Sequence, residues 1–176
     1  LRWSMYTASH GCPFDCAYCS NASVYGRKLD LMPPERVVAD VAWLVENHGI
    51  SLLGVTDDIF FAYQDRTLEI AEGLLRAGVE VDWYIQDRAD SWARLSDSEA
   101  KLLRRAGLVR VHFGAESGSD DVLKSIDKRS DGARTLQAVD RCRDAGIRSS
   151  FGFIFGLPGE TEADLRATVD LIGAIY

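Results

Sequence analysis

The sequence predicts an α/β fold of parallel strand–helix repeats, in which an open doubly wound sheet and a partial TIM-type barrel both fit the pattern and strand parity favours the barrel with an occupied interior. Three observations carry that expectation. Apolar residues alternate between strand-like and helix-like spacing along all 176 residues, making five strand–helix units in succession. No low-complexity linker interrupts them, so a single domain over 1–176 is expected. The strands also carry one apolar face and one face that collects Gln86, Arg88, His112, Glu116 and glycines. A sheet covered by helices on both sides would be apolar on both. The polar face is therefore expected to line a cavity.

Taken in order, "WSMYTAS" (3–9) reads as the first strand. A helix over 33–49 follows, with Pro34 in its first turn, Val37, Val41, Leu44 and Val45 on one face, and Gly49 just past its end. "ISLLGVT" (50–56) is a strand, 65–77 a helix stopping at Gly78, and "VEVDWYIQ" (79–86) a strand. Ser96 and Glu99 have capping-box spacing for a helix ending near Gly107. "VRVHFGA" (109–115) is a strand, in which Val109, Val111, Phe113 and Ala115 oppose His112, Gly114 and Glu116. Helical patterns near 119–127 and 131–145 precede a last strand, "SSFGFIFG" (149–156), and Thr161 caps a final helix. Parallel strands so connected require right-handed crossovers. The chain opens beside a strand at Leu1 and stops within "DLIGAIY", which reads as an excised domain cut at both ends.

Composition narrows the function. The formal net charge is −7 and no basic stretch stands out, which disfavours a phosphate-tracking nucleic-acid surface. No apolar run reaches membrane-spanning length and no signal peptide is visible, so a cytoplasmic location is expected. Four cysteines are too few for a disulfide scaffold, and three fall within "SHGCPFDCAYCSNAS", at Cys12, Cys16 and Cys19. This C-x3-C-x2-C loop follows the first strand, at the end where ligands collect in parallel βα folds. Thiolates suit zinc, copper(I) and iron–sulfur clusters. The spacing admits three readings: an iron–sulfur cluster with one iron left open, a zinc site recruiting a fourth ligand such as His10, or metal-free cysteines. Cys142, far along the chain in a helical pattern, reads as a packing residue.

"GCPFDCAYCS" resembles the signature of the radical S-adenosylmethionine (SAM) enzymes, C-x3-C-x-aromatic-C, with Tyr18 as the aromatic. "VTDDIFF" (55–61), "QDRAD" (86–90), "HFGAESGSDDVLKSIDK" (112–128) and "FGFIFGLPGET" (151–161) resemble, in the same order, stretches of the subgroup often associated with cobalamin-binding domains. The resemblance spans nearly the whole chain. It implies a partial barrel of six units, of which five are visible. It implies that Cys12, Cys16 and Cys19 ligate a [4Fe–4S] cluster whose open iron is chelated by SAM. Reductive cleavage of SAM to methionine and a 5′-deoxyadenosyl radical, then hydrogen abstraction from a small-molecule or peptide substrate, would follow. Methylation or ring formation with cobalamin, bound by a domain outside this chain, is one implied outcome. The electron would come from a donor such as flavodoxin or ferredoxin. The alternative is a zinc-binding or degenerate, non-catalytic interaction domain.

Residue by residue, the resemblance places Tyr18 beside the adenine. Ile154 and Gly156, from the fifth-strand pattern Gly152-Phe-Ile154-Phe-Gly156, flank the same ring. Glu116, with Ser117 beside it, would meet the SAM ammonium or ribose hydroxyls. A salt bridge from Glu116 to Arg88 is the competing expectation. Arg88 would pair with the SAM carboxylate, or serve structure alone, and Gln86 shares its face. Asp57 and Asp58 stand where many family members carry a glycine-glycine-glutamate motif. This departure leaves one of the two aspartates to replace the glutamate.

Overall fold

The structure is a computed structural model that describes residues 1–176, the side chain at position 22 excepted. Its main sheet has five parallel strands, in sequence order: β1 (Trp3–Tyr6), β4 (Leu52–Val55), β5 (Asp82–Asp87), β6 (Leu108–Glu116) and β7 (Arg148–Phe153). The crossovers are carried by α2 (Pro34–His48), α3 (Gln64–Arg76), α5 (Asp97–Arg105) and α7 (Gly132–Ala145), and α8 (Glu162–Ile175) follows the last strand. This is the expected partial TIM-type barrel, with five strands in place.

Local signals account for most boundaries. Pro33 and Pro34 start α2, and Gly49 ends it at φ 63°, its N–H returning to the carbonyls of Leu44 and Val45. The predicted capping box opens α5: Ser96 Oγ accepts from the Glu99 N–H while Glu99 reaches back to the Ser96 N–H. Thr161 and Asp164 form a second box at α8.

The helix-facing side of the sheet is the core. Val111 and Phe113 are fully buried, as are Ile85 and Leu103. An aromatic chain crosses it: Phe60 to Trp83 at 5.7 Å between centroids, Phe61 to Trp92 at 5.3 Å, Trp92 to Phe113 at 5.7 Å and Phe113 to Phe151 at 5.4 Å. The opposite face is open and polar at its upper end, and Trp3 and Met5 are exposed at the β1 edge.

Four elements depart from the expectation, the last strand among them, which ends at Phe153 and leaves Ile154 and Gly156 outside it. The first strand does not run from 3 to 9: it stops at Tyr6, and β2 (Ser9–Gly11) pairs antiparallel with β3 (Leu29–Leu31) in a separate ribbon. This ribbon brackets the cysteine loop and α1 (Asn21–Tyr25). The strand predicted at 79–86 begins at Asp82, because Gly78 and Val79 still close the end of α3 through N–H bonds to Leu75 and Leu74. After β5 the chain makes a five-residue helix, α4 (Ala89–Ala93), which delivers Trp92 to the core. A single turn is too short to show a period.

Candidate active site

Tyr6, the last residue of β1, leads into a turn fixed by Asp57. The Asp57 carboxylate is buried and accepts from the Ala8 N–H at 2.7 Å and from Ser9 Oγ at 2.5 Å. Burial raises its pKa, and those donors oppose the rise. Asp58 instead accepts from the Gly11 N–H at 3.1 Å and faces the cleft beyond. The aspartate pair thus divides: Asp57 anchors the chain entering the cysteine loop, and Asp58 lines the cavity.

That cavity has a volume of about 270 Å³ and lies at the C-terminal ends of the strands. Cys12, Cys16, Cys19, Phe14 and Tyr18 form one wall. Asp58, Gln86, Arg88, His112 and Glu116 reach it from the strand ends, with Gly114 and Gly152 between them, and Lys128 reaches it from beyond the short helix Asp120–Ser125. A larger recess of about 520 Å³ opens at the other end of the sheet, near Asp82 and Arg105, and holds none of the motif residues.

Glu116 is the centre of the polar wall. The β6–β7 register shifts between Gly114 and Glu116, and Glu116 itself adopts φ 65°. Such a conformation is uncommon for a residue with a Cβ, and bulges of this kind re-aim side chains beside functional sites. Here the carboxylate Oε1 accepts from Tyr18 Oη at 2.7 Å and from Lys128 Nζ at 2.7 Å. Lys128 is also 3.1 Å from Tyr18 Oη, and the ion pair is buried. Burial, then the Glu116 carboxylate, drives the Tyr18 phenol pKa upward, so it stays a donor. A Cβ at Gly114 would displace Glu116 Oε1 and crowd Lys128 Nζ, so the bare backbone lets this pair sit where it does. The competing Glu116–Arg88 salt bridge does not form: Lys128 takes that place, and Arg88 pairs with Asp90 at 2.9 Å.

Not every predicted residue reaches the cavity wall. Ser117 is buried against α8, 3.1 Å from Thr168 Oγ1. Ile154 and Gly156 follow β7 outside the lining, with the Gly156 N–H bound to Glu160, and Gly152 takes the wall position instead. His10, considered as a zinc ligand, is exposed on the ribbon and is not part of the lining. Cys142 is wholly buried, and burial pushes its thiol up to about 12. Sequence reasoning missed Lys128 and Asp87. Lys128 carried a usable signal, a lysine beyond the helix that follows Glu116, at the end of the 112–128 motif.

Asp87 is buried at the end of β5, accepting from the Phe61 N–H at 3.0 Å and the Arg88 N–H at 2.6 Å. Burial pushes its carboxyl up from 3.8 to about 7, against those two donors. Between these values the native state holds a proton that the unfolded chain has released. Its contribution to stability therefore falls as pH rises from about 4 to about 7. Urea midpoints of the metal-free protein at pH 5 and pH 7.5 should differ in that sense. Asp87→Asn should remove this part of the difference, and an unchanged difference would contradict the assignment.

Three free thiols line one small cavity, a donor set suited to the separate irons of one cluster. Residues 6–172 match the Radical SAM superfamily. The chain belongs to the radical SAM superfamily. Members of this family use a [4Fe–4S] cluster and SAM. An uncharacterized methyltransferase of Pyrococcus horikoshii is 29% identical over 169 residues, covering 96% of this chain and 36% of that protein. The hopanoid C-3 methylase of Methylococcus capsulatus is 30% identical over 146 residues, 83% of this chain and 27% of the methylase. This radical SAM core therefore spans about a third or less of the length of these curated relatives. The methyltransferase TsrM from Kitasatospora setae, solved with cobalamin and a [4Fe–4S] cluster bound, superposes with a TM-score of 0.86 at 21% identity, over 98% of this chain and 34% of TsrM. That likeness is one of fold. No helix among the described residues is long and apolar enough to cross a membrane.

Proposed function

We propose that the protein is a radical SAM enzyme that cleaves SAM reductively in this cavity and uses the radical to take hydrogen from a small-molecule or peptide substrate. The observation that carries this reading is the shared cavity: the three loop cysteines and the Glu116–Lys128–Tyr18 group line it together. Bound cluster and SAM supply the electron-transfer and radical chemistry, which this chain's side chains could not supply unaided. Cys12, Cys16 and Cys19 hold the cluster. Glu116 and Lys128 present opposite charges to a zwitterionic amino-acid group, with Asp58 and Gln86 as further polar contacts. Tyr18 and the bare backbone at Gly152 leave room for a flat ring. Ser117, Ile154 and Gly156 enter this reading through the resemblance alone. Arg88 is held at Nε by Asp90 and at Nη2 by the Lys128 carbonyl, with Nη1 directed at Cys16.

Beyond this chain, the reading includes a low-potential donor such as flavodoxin or ferredoxin, a cytoplasmic location, and a cobalamin held by a separate domain, used for methylation or ring formation. Relatives named as methyltransferase, methylase and cyclase fit either of those reactions. The test is anaerobic reconstitution of the full-length protein with iron and sulfide, followed by SAM and dithionite. The expected result is about four irons per chain and accumulation of 5′-deoxyadenosine. Zinc without iron in anaerobically purified protein, or no 5′-deoxyadenosine from well-loaded protein, would overturn it.

A further inference from the structure

We propose that Arg88 is a positioning residue that sets the reduction potential of the cluster through Cys16. The inference rests on the reading above that the loop cysteines hold a cluster. Arg88 is the N-cap of α4 and is buried, with 6% of its surface exposed. Its guanidinium touches the cysteine loop twice. Nη1 lies 3.6 Å from Cys16 Sγ, and the plane sits 4.1 Å from the centroid of the Phe14 ring. The other donors hold it there: Nε bonds Asp90 Oδ1 at 2.9 Å, and Nη2 donates to the Lys128 main-chain carbonyl. A surface arginine seeking a counter-ion would not need this set of constraints. The fork is fixed on one side so that its remaining edge meets a thiolate.

The physical consequence has a sign. A one-electron donor adds one negative charge to the cluster, and no bond to the protein changes. An N–H donor and a full positive charge beside a ligating sulfur favour the more negative form. Asp90 opposes that effect. This carboxylate is buried beside Arg88, with Arg94 3.6 Å away on its other side, so it offsets part of the cation's field at Cys16. The pair therefore has two adjustable members with opposite effects.

The test uses the reconstituted full-length protein, with iron content counted first and the cluster then titrated with dithionite under spectroscopic observation. Arg88→Met should make reduction at least tenfold less favourable, a midpoint about 59 mV more negative. Asp90→Asn should move the midpoint the other way, and Arg88→Lys should fall between wild type and Arg88→Met. Opposite shifts cannot come from a general loosening of the fold, so Asp90→Asn keeps the inference testable if Arg88→Met folds poorly. Wild-type midpoints in every variant that loads iron, or shifts of one sign in Arg88→Met and Asp90→Asn, overturn the role of Arg88 and leave the cluster reading intact. A wild-type protein that loads no iron overturns both.

Discussion

Replacing Cys16 by alanine should abolish assembly of a four-iron cluster and leave the fold standing. Cys16 is half-buried in the loop, and its sulfur receives one long contact from Arg88. Its removal opens no cavity in the core, which lies on the far side of the sheet. The loop's own ties persist: the Ala17 N–H still bonds the Ile126 carbonyl at 2.9 Å, and Asp15 still meets Arg27 and Arg129. With two thiolates left, one iron loses its protein ligand and the cluster loses a third of its protein attachment. Cys142→Ala is the matched control. That thiol is wholly buried in α7, so its loss should cost about 1 kcal/mol, as for other buried single-atom deletions. Iron content should stay at the wild-type level. With stability read on the metal-free proteins, where cluster binding adds nothing, the two variants cross: Cys16→Ala keeps the wild-type urea midpoint but loads no four-iron cluster, and Cys142→Ala loses stability but loads iron normally. Full iron loading in Cys16→Ala would contradict the ligand assignment.

The contrast between those cysteines is legible in the sequence alone, because spacing separates a clustered thiol from a helical one. The same holds for α2, α5 and α8, whose caps are local and chemical, and for the parity of β6, which separates Phe113 from His112. What escapes the sequence depends on contacts distant along the chain. The ribbon of β2 and β3 joins three-residue strands about 20 residues apart, too short to carry a period. Asp57 and Asp58 are identical in type and adjacent, and only the backbone N–H groups that face each one separate their roles. Strand parity places Glu116 on the cavity face, but the register shift and positive φ that aim it at Tyr18 and Lys128 have no sequence period. Lys128 stands 12 residues beyond its partner, across a helix, and Tyr18 stands 98 before it.

That buried triad sets the second large effect. Glu116→Ala should destabilise the protein by about 3–5 kcal/mol, because it leaves the Lys128 ammonium buried without its counter-charge. Part of that cost is the lost acceptor of the Tyr18 hydroxyl, worth about 1 kcal/mol when lost alone. The double variant Glu116→Gln with Lys128→Met separates stability from binding. The ion pair is then replaced by neutral groups, and the glutamine carbonyl still accepts from Tyr18. Replacing a buried ion pair by neutral groups of similar size is often neutral or stabilising, so most of the urea midpoint should return. SAM affinity should not return, since the opposite charges that meet its amino-acid end are both gone. Equilibrium dialysis of SAM against the cluster-loaded protein reads the second quantity and urea unfolding the first. Wild-type SAM affinity in the double variant would remove Glu116 and Lys128 from the binding site and leave them a structural pair. A single-variant cost well under 1 kcal/mol would show that water already reaches the ion pair.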